Sequence, residues 1–231
     1  MTPMTPMTRA LAIFAIVLTL PVARTATAGP PTDQLRRSID LVLRTLADPE
    51  LKKEAKTAER RAMIRAVAND IFDFAEISQR SLGRHWQART PAEREEFVRL
   101  FGDLLEHSYI TKIESYSDEK IQYAGEIVDG DQALVKTRIV TKQGTEIPVD
   151  YRTALKGERW RAYDVNIEGV SLIANYRTQF NTIIQRTGYP DLVTKLQAKQ
   201  AARPGPRETG RRREDVVVPT ARPATSGRQS P

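Results

Sequence analysis

The sequence contains no cysteine and only two histidines among its 231 residues. Without cysteine the protein has neither disulfide bonds nor thiolate metal ligands, so its core alone must hold it together. The two histidines, His85 and His107, are isolated from each other and lack the spacing of a metal-binding motif. We therefore expect neither a metal site nor a cofactor.

Motifs that hold phosphate or activate a nucleophile are also missing. The sequence has no HExxH, no P-loop and no GxGxxG. Ser171 follows Gly169, but Ile173 stands where the second glycine of a G-x-S-x-G nucleophile elbow is required. That elbow also needs a parallel sheet, whereas the segment before Ser171 predicts an antiparallel one. The segment Gly169-Val170-Ser171 is predicted to turn the chain, with Ser171 capping the helix that follows.

Two acidic residues near this turn are candidates for a carboxylate pair in acid–base chemistry. Asp164 ends a predicted strand and Glu168 precedes a predicted helix, where an acidic group is favourable without any catalysis. We therefore expect no enzymatic activity. A serine hydrolase using Ser171 with His85 or His107 is the alternative from a different class.

The folded part of the chain lacks net charge, although the whole sequence carries +7. Residues 198–231 hold eight basic and three acidic side chains, and residues 1–28 add two arginines. Residues 29–197 are left with 26 basic and 26 acidic side chains. A balanced domain lacks the electrostatic footprint of a nucleic-acid binder, so no nucleic-acid partner is expected.

The two ends of the sequence are predicted to lie outside the fold. Residues 1–28 combine Arg9, an apolar run too short to span a bilayer, and Ala26-Thr27-Ala28, which predicts a secretory signal cleaved after Ala28. Residues 201–231 are rich in Pro and Arg and are predicted to be disordered. Their basic side chains allow transient contact with anionic lipid, although a solvated extension is the preferred interpretation.

Residues 29–200 are enough for one domain, and their first half predicts helices. The first helix ends at Asp48-Pro49, and a charged helix begins near Leu51. Helical spacing then continues through Ile71 and Phe74 to Gly83. Thr90, Pro91 and Glu93 predict a capping box that opens a long helix with a broad apolar face.

After Tyr116 the pattern predicts four strands separated by short turns, which must form an antiparallel meander. Helices from Val170 and from about Pro190 to Gln197 follow, with Gly188 as a C-cap. This order predicts an α+β fold in which a curved, antiparallel, four-stranded sheet packs with a mainly N-terminal helical layer.

Four segments of the chain form a recognisable set: FDFAEISQRSLGRHW, TPAEREEFVRLFGDLLEHSY, VDYRTALKGERWRAYDVNIEGVSLIANYRTQF and GYPDLVTKL. Together they resemble the MlaC family, also called the toluene-tolerance family of periplasmic lipid carriers. The resemblance extends from about Leu35 to Leu196, and the block WRAYDVNIEGVSL at residues 160–172 is its most specific part.

The resemblance implies a periplasmic protein that holds phospholipid acyl chains between sheet and helices. It also implies that the lipid passes between an outer-membrane lipoprotein complex and an inner-membrane MCE-type ABC transporter, which maintains the lipid asymmetry of the outer membrane. A hopanoid or other polycyclic lipid is the alternative cargo within the same family. The basic tail lies outside the family pattern.

Alternation in the strands places apolar side chains opposite the long helix, where they either line a cavity or pack a solid core. The residues alone leave both interpretations open, and the resemblance favours the cavity. A structural envelope protein without lipid is the corresponding alternative function. The residues predicted to contact lipid are Phe101, Leu104, Leu105, Tyr109, Ile113, Val135, Ile139, Val149, Tyr151, Trp160, Leu172 and Tyr176.

Overall fold

The computed structural model describes residues 30–116 and 119–201. The predicted signal segment and all but the first residue of the predicted tail lie outside this described part. The helices are α1 (Pro30–Ala47), α2 (Thr57–Ile71), α3 (Phe74–Leu82), α4 (Pro91–Glu114), α5 (Leu172–Thr187) and α6 (Tyr189–Ala201). The strands are β1 (Lys120–Asp129), β2 (Gln132–Val140), β3 (Glu146–Lys156), β4 (Arg159–Ile167) and β5 (Val170–Ser171).

The strands form one antiparallel sheet in the order β1-β2-β3-β4-β5. This architecture confirms the predicted α+β fold and the meander, to which β5 adds a short fifth strand. Tight turns join the first four strands, and Gly130 and Gly157 adopt positive φ angles there. Residues Tyr123 to Gly125 of β1 and Arg152-Thr153 of β3 mark register shifts. Such bulges bend and twist a sheet locally.

Helix ends follow the predicted local signals. The Thr90 hydroxyl accepts from the Glu93 amide at 3.2 Å, and the Glu93 carboxylate accepts from the Thr90 amide at 2.8 Å. This reciprocal pair confirms the capping box that opens α4. The Ser171 hydroxyl accepts from the Ala174 amide at the start of α5, and Gly188 ends that helix with φ 87°.

Other helix boundaries differ from the predictions. The charged helix begins at Thr57 rather than Leu51, because a turn and a short 3-10 helix (Glu54–Lys56) precede it. The helical spacing through Ile71 to Gly83 covers two helices, since Phe72 is extended and forms a parallel bridge with Ala162. The helix predicted from Val170 begins at Leu172 because Val170–Ser171 pairs with β4. The last helix is longer than predicted.

The interior of the described part of the chain contains three apolar clusters. The largest joins α3, α4, α5 and α6 around Phe97, Phe101 and Phe180, whose rings contact one another edge to face or stacked. A second packs α1 and α2 on the sheet, and a third joins α1, α2 and the C-terminal half of α4. The sheet and the helical core are therefore packed largely independently.

Hydrogen bonds fix α1 across one end of the sheet. The Gln34 amide group donates to the Trp160 carbonyl at 2.6 Å and accepts from the Trp160 amide at 3.0 Å. At the start of α1, the Glu126 carboxylate accepts from both the amide and the hydroxyl of Thr32. This carboxylate at a helix N-terminus also complements the helix dipole. No helix in the described ranges is both long and apolar enough to cross a membrane.

Candidate functional site

The inner face of the sheet is the face on which α1 and α2 pack. Register places Tyr123, Thr137, Val149 and Ile167 in one row across four strands, because the pairs Tyr123–Thr137, Thr137–Val149 and Val149–Ile167 are direct partners. A neighbouring row contains Val135, Tyr151 and Val165. Side chains two positions apart on a strand share a face, so both rows face the same interior.

Threonines on this face present hydrocarbon to the interior. The hydroxyl of Thr137 donates to the Val149 carbonyl at 2.7 Å, and that of Thr153 donates to the Ala133 carbonyl at 3.3 Å. Both side chains are buried, and both hydroxyls are satisfied by the strands themselves. The inner face therefore behaves as an apolar wall despite its threonines.

Part of this wall lies outside the apolar clusters that the helices and the sheet form, and we call it the uncovered end. Ile139 and Ile147 are direct partners on the inner face, and Ile167 lies on the same face of β4. All three are only half-buried, and none belongs to an apolar cluster of the described chain. The corresponding residue at the α1 end, Val135, is fully covered by contrast. The sheet thus has a covered end beneath α1 and an uncovered apolar end.

Helix α4 has two halves with different neighbours. Its N-terminal half packs through Phe97 and Phe101 in the helical core. Its C-terminal half places Ile110 and Ile113 beside α1 and α2. No α4 side chain belongs to the cluster on the sheet in the described part of the chain. The candidate site is the region bordered by the uncovered sheet face, α1 and the C-terminal half of α4.

Ion pairs connect α2 to this half of α4. The Glu114 carboxylate accepts from Arg60 at 2.8 Å and from Arg61 at 2.7 Å, and Arg65 pairs with Glu106. Hydrogen bonds from Arg61, followed by those from Arg60, hold the pKa of Glu114 below its ordinary value despite partial burial. These pairs fix α2 against α4 at the side of the candidate site.

Tyr123 and Tyr151 lie on the inner face of the sheet, and Tyr109 lies on the C-terminal half of α4. Burial raises the pKa of Tyr151 and that of Tyr109 to about 12. Burial is also the main reason that the pKa of Tyr123 is raised, with further contributions from Asp40 and Tyr151. These phenols therefore remain protonated hydrogen-bond donors in ordinary conditions.

The predicted lipid-contact residues do not form one group. The structure places Phe101, Leu104, Leu105 and Tyr176 in the helical core, with Tyr109 and Leu172 packed at its edge. Val135 and Tyr151 belong to the cluster on the sheet, and Ile113 to the cluster that α1 and α2 make with α4. Val149 is buried and Ile139 half-buried on the inner face. Trp160 is half-buried at the end that Gln34 closes.

Sequence reasoning left several residues of this wall outside the predicted set. Tyr123, Ile147 and Ile167 share the inner face with Val149 and Ile139. They alternate at two-residue spacing with the predicted residues or pair with them across strands, and the alternation in the sequence could have identified them.

Concave sites elsewhere in the described residues differ in character. A void of about 10 Å³ lies at the α1 end, lined by residues such as Leu35, Thr153 and Ala162. An open surface cleft of about 510 Å³ is lined mainly by polar groups, including Arg37, Asp70 and Glu158. Neither reaches the uncovered isoleucines.

The geometry at Ser171 is that of a helix cap. Its hydroxyl donates to the buried Asp164 carboxylate at 2.7 Å and accepts from the Ala174 amide at 3.1 Å. His85 instead pairs with Asn181 at 3.0 Å. Within the described residues, no group of three or more His, Cys, Asp or Glu side chains could hold a metal ion.

These features define an α+β protein in which a helical layer covers only one end of an apolar sheet face. The family model described as MlaC protein matches residues 36–198. The chain therefore belongs to the MlaC family.

Two known proteins are similar to this chain. The intermembrane phospholipid transport system binding protein MlaC of Haemophilus influenzae is 27% identical over 139 residues, which cover 57% of this chain. The match spans 65% of that relative's length. A phospholipid-binding protein from Ralstonia solanacearum, solved in complex with a phospholipid, is similar in structure with a TM-score of 0.66 and 24% identity. The similarity covers 75% of this chain and 98% of that protein, and it supports the fold.

Proposed function

We propose that this protein is a non-enzymatic phospholipid carrier whose cargo inserts its acyl chains between the uncovered sheet face, α1 and the C-terminal half of α4. The observation that carries the proposal is the set of half-buried inner-face residues Ile139, Ile147 and Ile167, which belong to none of the apolar clusters of the described chain. In a protein held only by its core, an interior apolar face left open is costly unless a ligand covers it.

The energetic demand on such a carrier is large. Exposing two acyl chains of about 15 methylenes each to water costs roughly 24 kcal/mol, at about 0.8 kcal/mol per methylene. A soluble carrier must offset nearly all of this cost with an apolar surface. The wall supplies that surface, because the Thr137 and Thr153 hydroxyls are bonded to strand carbonyls.

The predicted contact residues then have two roles. Ile113, Ile139, Val149 and Tyr151 are proposed to touch the acyl chains, with Tyr109 at the side of α4. The buried members of the helical core, such as Phe101 and Tyr176, are proposed to hold α4 in place. Val135, Leu104, Leu105, Trp160 and Leu172 are proposed to border the space.

The names of the relatives support this assignment of cargo. One is named for intermembrane phospholipid transport, and the other was solved with a phospholipid. By analogy, the protein is proposed to be exported to the periplasm after cleavage behind Ala28. There it would pass lipid between an outer-membrane lipoprotein complex and an inner-membrane MCE-type ABC transporter, which maintains outer-membrane asymmetry. N-terminal sequencing of envelope protein tests the export step, for which Gly29 is the expected first residue.

Mass spectrometry of the gently purified protein tests the function. We expect phospholipid to co-purify, and delipidated protein to extract phospholipid from vesicles. A polycyclic lipid in place of phospholipid would change the cargo but retain the carrier. Protein that carries no lipid and takes up none would contradict the proposal.

A further inference from the structure

One buried polar group on the inner face of the sheet has no hydrogen-bond partner. The Tyr123 hydroxyl has less than 1 Å² of exposed surface, and no group in the described chain bonds to it. The other buried side-chain atoms without a partner in the described residues belong to Ser78 and Ser81 of α3 and to Arg89, all outside the strands. A buried hydroxyl without a partner is unfavourable, so its persistence in a native protein calls for an explanation.

The orientation of the Tyr123 ring is fixed by its neighbours. The Arg36 guanidinium lies 4.5 Å from the ring centroid, and the ring packs in the cluster that α1 makes with the sheet. A cation over the ring face restricts the ring, and hence the direction of the hydroxyl. The hydroxyl is therefore held inside rather than turned to solvent.

A second phenol shares this interior. Tyr151 is the direct partner of Val135 and Tyr123 that of Thr137, so the two tyrosines lie diagonally across β2 on the same face. The Tyr151 phenol is close enough to contribute to the raised pKa of Tyr123.

The threonines nearby provide the contrast. Short hydroxyl side chains on this face bond back to strand carbonyls, as Thr137 does. The Tyr123 hydroxyl has no such partner. On a wall whose threonine hydroxyls are already satisfied, the phenols of Tyr123 and Tyr151 are the donors available for directional recognition of an acceptor.

We propose that the Tyr123 and Tyr151 hydroxyls form a binding subsite that donates hydrogen bonds to an ester carbonyl of the lipid, and so selects acyl esters over ether-linked chains. This inference rests on the proposed lipid cargo and deepens it. The ester carbonyl is attached directly to the acyl chain, so it is the polar group of the lipid that lies nearest to a site that holds acyl chains. Ether oxygens are poorer acceptors, and dialkyl lipids lack the carbonyl.

The experiment presents delipidated protein with vesicles that contain equal amounts of a diacyl phospholipid and its dialkyl ether analogue, matched in headgroup and chain length. Extracted lipid is quantified by mass spectrometry. Wild type should enrich the ester by about 2-fold to 12-fold, the range for one net hydrogen bond. Tyr123→Phe and Tyr151→Phe should each reduce this enrichment while still capturing lipid.

Tyr163→Phe is the matched control, because the Tyr163 ring packs under Arg80 of α3 at 4.1 Å rather than toward α1. It should retain the full ester preference. Equal capture of ester and ether by wild type would overturn the subsite but leave the carrier intact. Capture of neither lipid would overturn the carrier as well. Undiminished preference in both inner-face variants would also overturn the subsite.

Thermal melting of the delipidated protein is an independent readout. Because the Tyr123 hydroxyl has no protein partner to lose, Tyr123→Phe should melt no lower than wild type. A decrease of 2 °C or more, on the order of a lost hydrogen bond in a domain of this size, would show that the hydroxyl bonds within the protein. That result would overturn the subsite.

Discussion

Replacing Val149 with glutamate distinguishes a lipid chamber from a solid core. Val149 is 5% exposed and lies on the inner face between its uncharged partners Thr137 and Ile167. A fully buried glutamate has its pKa raised by about 3–5 units, and each unit corresponds to about 1.36 kcal/mol. At pH 7 a dry carboxyl group would therefore take up a proton, and the cost is about 1.36 kcal/mol for each of the roughly 2.7 units between its ordinary pKa and pH 7, or about 3.5 kcal/mol.

This cost, together with the lost packing of Val149, approaches the lower end of the total stability of a domain, which is about 5–15 kcal/mol. In a solid core, Val149→Glu should leave much of the protein unfolded. In a chamber, water enters once the lipid is absent, so the penalty decreases and the variant folds without cargo. We expect a folded protein with a wild-type circular dichroism spectrum and at least tenfold less extracted lipid, since tenfold corresponds to only about 1.4 kcal/mol.

The pH dependence provides a second check on the reasoning. The carboxyl group is neutral below its raised pKa, so its penalty is absent near pH 4 and increases with pH until the raised pKa is passed. Lipid retention by Val149→Glu should therefore recover as the pH falls. Val149→Gln separates size from charge, and Gln122→Glu places the same carboxylate on an exposed position of β1. A folded Val149→Glu variant with undiminished lipid at pH 7 would refute the placement of Val149 in the chamber.

Three further predictions concern stability and the tail. Thr90→Ala should lower the free energy of unfolding by about 1 kcal/mol in urea titrations, because it removes the cap of α4; an unchanged value would contradict the role of the capping box. Glu114→Gln should lower the free energy of unfolding by about 1–2 kcal/mol in the same titrations, because it removes the negative charge that Arg60 and Arg61 bind. The effect stays modest because solvent partly screens Arg61. Because the pKa of Glu114 is lowered, wild type should keep this stabilisation at pH values above the ordinary carboxyl range and lose it as the pH falls through the lowered pKa. A difference in unfolding free energy between wild type and variant that does not change with pH would contradict this. Deleting residues 202–231 should leave the melting temperature and lipid capture unchanged, and a decrease of several degrees would mean that the tail packs on the domain.

Local signals were sufficient to predict much of the fold. The capping box at Thr90, the cap at Ser171 and the glycine at Gly188 act within a few residues, so the sequence alone determines them. Meander order also follows from short turns. The break at Phe72 could not be predicted in this way, because its bridge to Ala162 depends on two elements meeting in space.

The candidate site was less predictable for the same reason. Phe101 and Ile113 share an apolar helix with one continuous pattern, yet one packs in the helical core and the other near α1 and α2. Periodicity indicates that a side chain is inward-facing but does not identify its neighbours. The uncovered end of the sheet depends on where α1 stops covering it, which the bonds from Gln34 to Trp160 help to fix.

The bridge between Phe72 and Ala162 also affects how copies of the protein can associate. It occupies one stretch of the outer edge of β4, and β5 occupies another. Within the described residues this leaves β1 as the long open edge of the sheet, because β5 at the other side is only two residues long. Long open edges at both sides of a sheet allow copies to add without end, as in fibrils. With one long open edge, strand pairing between copies uses that edge on each and stops at two molecules, so growth of a continuous intermolecular sheet is disfavoured.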